Sequence, residues 1–129
     1  MQMAKMKKTI LHIVDDEETR DAVKDILDGH GMRVVGAKNG NEGLKKAKEL
    51  KPDLVLLDVM MPDMSGWDVF AKLKKDGIKS KVAFLTVIEG SGPRMKKLKE
   101  EGVSDYIVKP IAPDDLKQRI EKILAASND

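Results

Sequence analysis

The chain has 129 residues, of which 41% are hydrophobic and 36% charged, and it contains no cysteine. This length suits a single domain, and the lack of cysteine excludes disulfide scaffolds, cysteine–zinc sites and thiol nucleophiles. A net charge of +2, from 24 basic and 22 acidic residues, gives no indication of nucleic-acid binding.

Apolar runs of about five residues fall far short of the roughly 20 needed to cross a bilayer. The lysine-containing start leads directly into a predicted strand, so we expect no signal peptide. These features predict a cytoplasmic protein without direct membrane or nucleic-acid contact. Lysine and glutamate are abundant while asparagine and glutamine are scarce, a composition typical of thermophile proteins, which predicts a melting temperature above the mesophile range.

Five short runs rich in valine, isoleucine and leucine recur along the chain. Each is too short for a helix, so each predicts a β-strand. The runs are Ile10–Val14, Met32–Val35, Leu54–Leu57, Val82–Val87 and Asp105–Val108.

Segments with helical spacing of apolar residues follow the strands, the fourth (Pro93 to Glu101) having the weakest apolar face. The first four stop at Gly29, Pro52, Gly77 and Gly102, and Pro113 opens the fifth. Five alternating strand and helix segments predict a parallel sheet with helices on both faces.

Polar side chains lie at or just beyond the ends of four of the five predicted strands. They are Asp15 and Asp16, Asp58, Thr86, and Lys109 with Pro110. Ligands of such sheets bind beyond the carboxyl ends of the strands. Three neighbouring carboxylates would repel one another and have raised pKa values unless something neutralises them, and Mg²⁺, which prefers oxygen ligands, would do so.

Each of these residues also has an ordinary structural interpretation when it is considered alone. Asp15 and Asp16 suit the positive end of the first helix dipole, and Lys109 alone would be a solvated charge. Their joint occurrence at matching strand ends is what favours a functional site.

The segments "ILHIVDDEETR", "PDLVLLDVMMPDMSGWDVF", "KVAFLT" and "DYIVKP" resemble the receiver domain of two-component response regulators. The resemblance covers roughly residues 8 to 124. It implies a flavodoxin-like (βα)5 fold, a doubly wound parallel five-stranded sheet of strand order 2-1-3-4-5. We expect one receiver domain over residues 1–129, with a core of about 8–124, flexible termini, and no output domain, as in stand-alone regulators of the chemotaxis type.

The resemblance also implies the roles of the site residues. Asp58 would be the phosphoacceptor, assisted by Thr86 and Lys109. The Mg²⁺ ligands would be Asp15, Asp16, Asp58 and the backbone carbonyl of Met60, with Asp16 binding directly and Asp15 through water; Mn²⁺ would be a substitute metal.

Thr86 and Tyr106 would form the switch, the tyrosine ring swinging inward when Thr86 moves. The Lys109–Pro110 peptide bond would be cis and aim Lys109 into the site. A sensor histidine kinase or phosphotransfer protein would supply the phosphoryl group. A downstream protein, not named by the sequence, would read the surface of helix 4, strand 5 and helix 5. The chain would catalyse only its own phosphotransfer and slow autodephosphorylation.

Some positions depart from the family pattern. Val87 replaces a small residue, and Met60 and Ile88 are apolar where the family places residues that flank the hydrolytic water. These departures predict slow autodephosphorylation. The glycines in Gly90–Pro93 predict a mobile start of helix 4.

Two other functions have different sequence requirements. A haloacid-dehalogenase-like aspartyl phosphatase needs Asp-x-Asp after the first strand and usually a cap, whereas this chain has adjacent Asp15 and Asp16. A flavodoxin-like electron carrier needs a serine- and threonine-rich phosphate loop there, where these acids would repel the cofactor.

Overall fold

The structure, a computed structural model, describes residues 7–126. Strands and helices alternate as predicted, and the expected flexible termini fall largely on residues 1–6 and 127–129, which lie outside the described residues. The elements are β1 Lys8–Ile13, α1 Glu17–Leu27, β2 Met32–Ala37, α2 Gly40–Leu50, β3 Leu54–Leu57, α3 Gly66–Lys75, β4 Lys81–Thr86, α4 Gly92–Glu100, β5 Asp105–Val108 and α5 Pro113–Ala125.

All neighbouring strands pair in parallel, in the order β2-β1-β3-β4-β5, which confirms the predicted topology. The predicted bounds of β3 and β5 are confirmed, whereas those of the other strands shift. β2 continues through Gly36 and Ala37 because both residues pair with β1. Val14 and Val87, predicted to end their strands, lie in the loops just beyond them. Pairing with neighbours therefore sets the strand ends more than side-chain type does.

Helices cover both faces of the sheet and enclose two hydrophobic clusters. On one face, Leu11 and Phe84 pack with Val69 of α3 and Leu98 of α4. On the other, Leu56 and Ile107 are covered by side chains of α1 and α5. Since β3 is buried on both faces, its four residues are apolar without alternation. The residue that follows β3 is therefore attached to a strand at the centre of the hydrophobic core.

Side-chain caps fix the starts of four helices. Asp16, Asn39, Ser65 and Ser91 each accept a hydrogen bond from a backbone N–H three residues ahead. In α5, Pro113 occupies the first turn as predicted. Within residues 7–126, no helix combines the length and apolar character needed to cross a membrane.

Side chains of the flanking helices occupy the outer edge of β2. Lys24 Nζ donates to the Val34 carbonyl oxygen at 3.1 Å, and the Asp28 carboxylate accepts from the Val34 N–H at 3.1 Å. Lys46 Nζ donates to the Gly36 carbonyl oxygen at 2.7 Å. Because these groups would otherwise offer hydrogen bonds to another strand, the contacts disfavour strand addition at this edge.

Candidate functional site

The sheet brings the predicted polar residues to one edge. The Asp58 N–H donates to the Ile13 carbonyl oxygen at 3.0 Å. Asp58 therefore lies directly beyond the paired ends of β1 and β3. The Lys109 N–H donates to the Thr86 carbonyl oxygen at 2.8 Å, which fixes the corresponding ends of β4 and β5. The carboxyl ends of β1, β3, β4 and β5 therefore present all of the predicted groups on one side of the domain.

Asp58 is half-buried, and its backbone is in close contact with the start of α3. The Gly66 N–H donates to the Val59 carbonyl oxygen at 2.7 Å. A Cβ at position 66 would lie only 2.2 Å from the Asp58 carbonyl oxygen, so only glycine allows this approach. Gly66 thus begins α3 and also holds the backbone of Asp58 in place.

Asp16 has a structural role in addition to the predicted metal-binding role. Its Oδ2 accepts hydrogen bonds from the Thr19 N–H at 3.0 Å and from the Thr19 hydroxyl at 2.5 Å. These bonds lower the pKa of Asp16, the hydroxyl most strongly, and the positive charges of Lys109 and Arg20 lower it further. The pKa of Asp16 is therefore lowered and not raised, because hydrogen-bond donors and cations outweigh carboxylate repulsion. Since both bonds use Oδ2, Oδ1 is left for another ligand.

The oxygen donors at this edge suit a hard cation. Asp15 and Met60 line one open cavity of about 550 Å³ beside the β3–α3 loop. Within residues 7–126, no group of three or more histidine, aspartate and glutamate side chains is close enough to hold a metal ion. Mg²⁺ requires only one or two carboxylates because it retains several waters. The carboxylates of Asp16 and Asp58 and the Met60 carbonyl fit this ion chemically.

Thr86 and Tyr106 are linked through one residue of the β4–α4 loop. Thr86 is fully buried, and its Oγ1 accepts from the Ile88 N–H at 3.3 Å. The Tyr106 hydroxyl donates to the carbonyl oxygen of the same Ile88 at 2.5 Å. The Thr86 hydroxyl therefore contacts its own loop in this conformation, and the two predicted switch residues meet at the peptide groups of Ile88.

The Tyr106 ring lies inward while the Thr86 hydroxyl still contacts its own loop, so the inward position does not require the predicted movement of Thr86. Its centroid is 5.6 Å from that of Phe84 and 6.1 Å from that of Trp67, and it stacks on Trp67. Arg94 of α4 lies over the Trp67 ring of this aromatic cluster, 4.4 Å from the ring centroid. Burial raises the pKa of Tyr106, with a smaller raising effect from Asp58 and a lowering effect from Arg94. The cluster connects the starts of α3 and α4 with β5.

The Lys109–Pro110 peptide bond is cis, which confirms the prediction. Lys109 is half-buried, and its charge acts on Asp16. The charge also acts on His12, which no motif in the sequence assigns to the site. His12 is 1% exposed, and neither ring nitrogen has a hydrogen-bond partner. Burial, followed by the charges of Lys109 and Arg20, lowers the pKa of His12 from 6.5 to about 3, so the ring is neutral.

Two residues that support the site have no distinctive sequence signal. The Asp63 carboxylate accepts from the N–H groups of Gly40 and Asn41 at 2.9 and 2.8 Å, which joins the β3–α3 loop to the start of α2. These bonds lower the pKa of Asp63. Arg20 donates to backbone carbonyls of the β1–α1 loop. Asp63 lies 22 or more residues from its two partners in the sequence, so only the fold brings them together.

A parallel sheet of this order, with an acid pair, an aspartate, a threonine and a lysine at its carboxyl edge, defines a receiver-type signalling domain. Residues 10–121 match the family model of the response regulator receiver domain. The chain therefore belongs to the response regulator receiver family of two-component systems.

Individual relatives agree with this assignment. The chain is 34% identical over 119 residues to the chemotaxis protein CheY of Thermotoga maritima, covering 92% of this chain and 98% of CheY. It is 34% identical to the alkaline phosphatase synthesis regulator PhoP of Bacillus subtilis over 95% of this chain, but spans only 50% of PhoP. The crystal structure of Thermotoga maritima TrrA in complex with Mg²⁺ and BeF matches with a TM-score of 0.76 and 32% identity, covering 90% of this chain and 98% of TrrA. Receiver domains are signalling switches, generally bind Mg²⁺ and interact with histidine kinases and downstream effectors.

Proposed function

We propose that this chain is a phosphorylation-activated switch of the cytoplasm that accepts a phosphoryl group on Asp58. The observation that carries the proposal is the position of Asp58, which directly follows the fully buried β3 and is held by Gly66 at the edge that also bears the acid pair and Lys109. A carboxylate on a firmly held backbone suits phosphoryl transfer, in which positioning and electrostatics supply most of the catalysis.

The transfer step uses a carboxylate oxygen of Asp58 as the nucleophile. This oxygen forms a bond to phosphorus while the bond between phosphorus and the donor atom breaks, and the leaving group keeps that electron pair. With acetyl phosphate the leaving group is acetate; with a phosphohistidine of a kinase or phosphotransfer protein it is the imidazole nitrogen. The product on this chain is an acyl phosphate at Asp58.

The side chains around Asp58 have separate tasks in this proposal. Lys109 offers a positive charge to the phosphoryl oxygens, and the Thr86 hydroxyl offers a hydrogen bond after it leaves the Ile88 N–H. Asp16, Asp58 and the Met60 carbonyl would hold Mg²⁺, with Asp15 acting through water and Mn²⁺ as a substitute. When bound, the ion supplies positive charge that stabilises the transferring phosphoryl group.

The output of the switch follows from the link at Ile88. Departure of the Thr86 hydroxyl frees the Ile88 N–H, while the Ile88 carbonyl remains bonded to Tyr106. The β4–α4 loop therefore changes shape next to α4, β5 and α5, and a downstream protein reads this surface. Phosphorylation then biases a two-state equilibrium of the surface.

The test is incubation with acetyl phosphate and Mg²⁺, followed by intact-mass measurement. We expect one added phosphoryl group, which should not form when the metal is chelated before acetyl phosphate is added. Asp58→Asn should abolish the addition. The matched control is Asp53→Asn, which directly precedes β3 at the other edge of the sheet and should retain the addition. Labelling that persists in Asp58→Asn would overturn the assignment.

We further propose that the acyl phosphate is long-lived. Met60 and Val87 lie beside the phosphorylation edge, and each is 63% exposed. Both side chains are apolar, so neither offers a hydrogen bond to attacking water. We expect a phosphoryl half-life of many minutes or more, measured by intact mass after the donor is removed. Met60→Gln should shorten this half-life, with Met60→Leu as the apolar control. A wild-type half-life of seconds would contradict this proposal.

A further inference from the structure

A side chain of α1 reaches back to the loop that carries the acid pair. Arg20 Nη1 donates hydrogen bonds to the carbonyl oxygen of Val14 at 2.7 Å and to that of Asp15 at 3.0 Å. These two carbonyls belong to the peptide groups that join Val14 to Asp15 and Asp15 to Asp16. One guanidinium nitrogen therefore restrains the peptide groups that flank Asp15 and precede Asp16.

The stem of Arg20 is itself confined by β2. A Cβ at Gly36 would lie 3.1 Å from Arg20 Cδ, which means that the stem packs directly on the glycine backbone. Arg20 is half-buried between this strand and the loop. A guanidinium confined in this way loses little further freedom on forming its hydrogen bonds.

We propose that Arg20 is a positioning residue of the metal site, because it sets the directions in which the Asp15 and Asp16 side chains leave the backbone. The proposal rests on the proposed function, in which these acids bind Mg²⁺. Hydrogen bonds from a charged donor are stronger than neutral ones, so they suit this restraining role. Groups that orient metal ligands in this way commonly affect metal affinity by about ten- to a hundredfold.

The charge of Arg20 acts in the opposite sense, which makes the proposal testable. A cation near the site repels Mg²⁺, so removal of the charge alone would strengthen metal binding. Loss of the hydrogen bonds to the Val14 and Asp15 carbonyls would loosen the ligands and weaken it. The two effects of Arg20→Gln on Mg²⁺ affinity therefore have opposite signs.

The first experiment titrates Mg²⁺ into the isotope-labelled protein and follows the backbone amide signals by NMR. We expect Arg20→Gln to bind Mg²⁺ about tenfold more weakly than the wild type. Arg20→Lys, which keeps the charge but lacks the planar fork, should also bind more weakly, although by less. Arg33→Gln, an exposed site on β2, removes the same charge and should bind like the wild type. Binding by Arg20→Gln that is equal to or tighter than wild type would overturn the proposal, even if the variant melts at a lower temperature.

The second experiment measures hydrogen exchange of the Thr19 amide without metal, because the Thr19 N–H is bonded to Asp16 Oδ2 and so reports on the position of Asp16. This amide should exchange about tenfold faster in Arg20→Gln than in the wild type, as expected if loss of the charged hydrogen bonds loosens the loop. Exchange should be unchanged in Arg33→Gln. A wild type that fails to bind Mg²⁺ would refute the proposed function, and the anchoring of the loop by Arg20 would then be decided by this exchange alone. Unchanged exchange in Arg20→Gln would overturn the anchoring.

Discussion

The buried neutral histidine predicts a loss of stability in mild acid. His12 has a pKa of about 3 in the folded protein, against 6.5 for the free side chain. Between these values the unfolded chain binds a proton that the folded chain does not, so the free energy of unfolding falls as the pH falls. The effect is present below about pH 6.5 and grows as the pH falls towards 3.

The size of this effect follows from the two pKa values. Between pH 7.5 and pH 5.0, the proton taken up by His12 in the unfolded chain lowers the free energy of unfolding by about 2 kcal/mol. This is a large fraction of the stability of about 5–15 kcal/mol that is typical of a domain. Carboxylates contribute little in this window, because the ordinary pKa values of aspartate and glutamate are 3.8 and 4.5.

The assay is urea unfolding of the wild type and of His12→Val at pH 7.5 and pH 5.0. The variant changes packing by the same amount at both pH values, so the difference between the two losses isolates the titration of His12. We expect the variant to lose about 2 kcal/mol less than the wild type. The matched control is His30→Gln at the exposed second histidine, which should behave like the wild type. Equal losses in the wild type and His12→Val would show that His12 does not take up this proton on unfolding.

Two further predictions concern the backbone of the site and the β4–α4 loop. Gly66→Ala forces a Cβ against the Asp58 carbonyl oxygen and should lower the free energy of unfolding in urea by about 1–3 kcal/mol. Gly92→Ala, where nothing lies within 4 Å of a Cβ, should lower it less. Equal losses in the two variants would contradict the contact at Gly66. Tyr106→Phe keeps the ring but removes the donor to the Ile88 carbonyl, so amides of the β4–α4 loop should exchange faster with solvent; unchanged exchange would show that this bond does not restrain the loop.

The sequence predicted the elements that depend on local pattern. Leu54–Leu57 is continuously apolar, and this run alone identifies a strand that is covered on both faces. The placement of Asp58 and Lys109 followed, because the residue after a parallel strand lies at the edge where ligands bind. β2 was predicted two residues too short, because Gly36 carries no side-chain signal and its strand conformation depends on pairing with β1.

Features that depend on distant partners were not predictable in the same way. Arg20 looks like an ordinary helix-surface charge until α1 places it over the Val14 carbonyl. The Thr86 hydroxyl was correctly placed at a strand end, but its bond to the Ile88 N–H depends on the loop conformation. His12 lies mid-strand, and only the packing of α1 and α5 shows that its ring lacks hydrogen-bond partners.

The proposed switch depends on one carboxylate, that of Asp58, carrying the phosphoryl group. The direct measurement is borohydride reduction of the protein after treatment with acetyl phosphate and Mg²⁺, followed by peptide mapping, because borohydride reduces an acyl phosphate to an alcohol and marks the acid that bore it. We expect reduction at Asp58 only, and none when Mg²⁺ is chelated before acetyl phosphate is added. Reduction at Asp15, Asp16 or any other acid, with Asp58 unmodified, would contradict it.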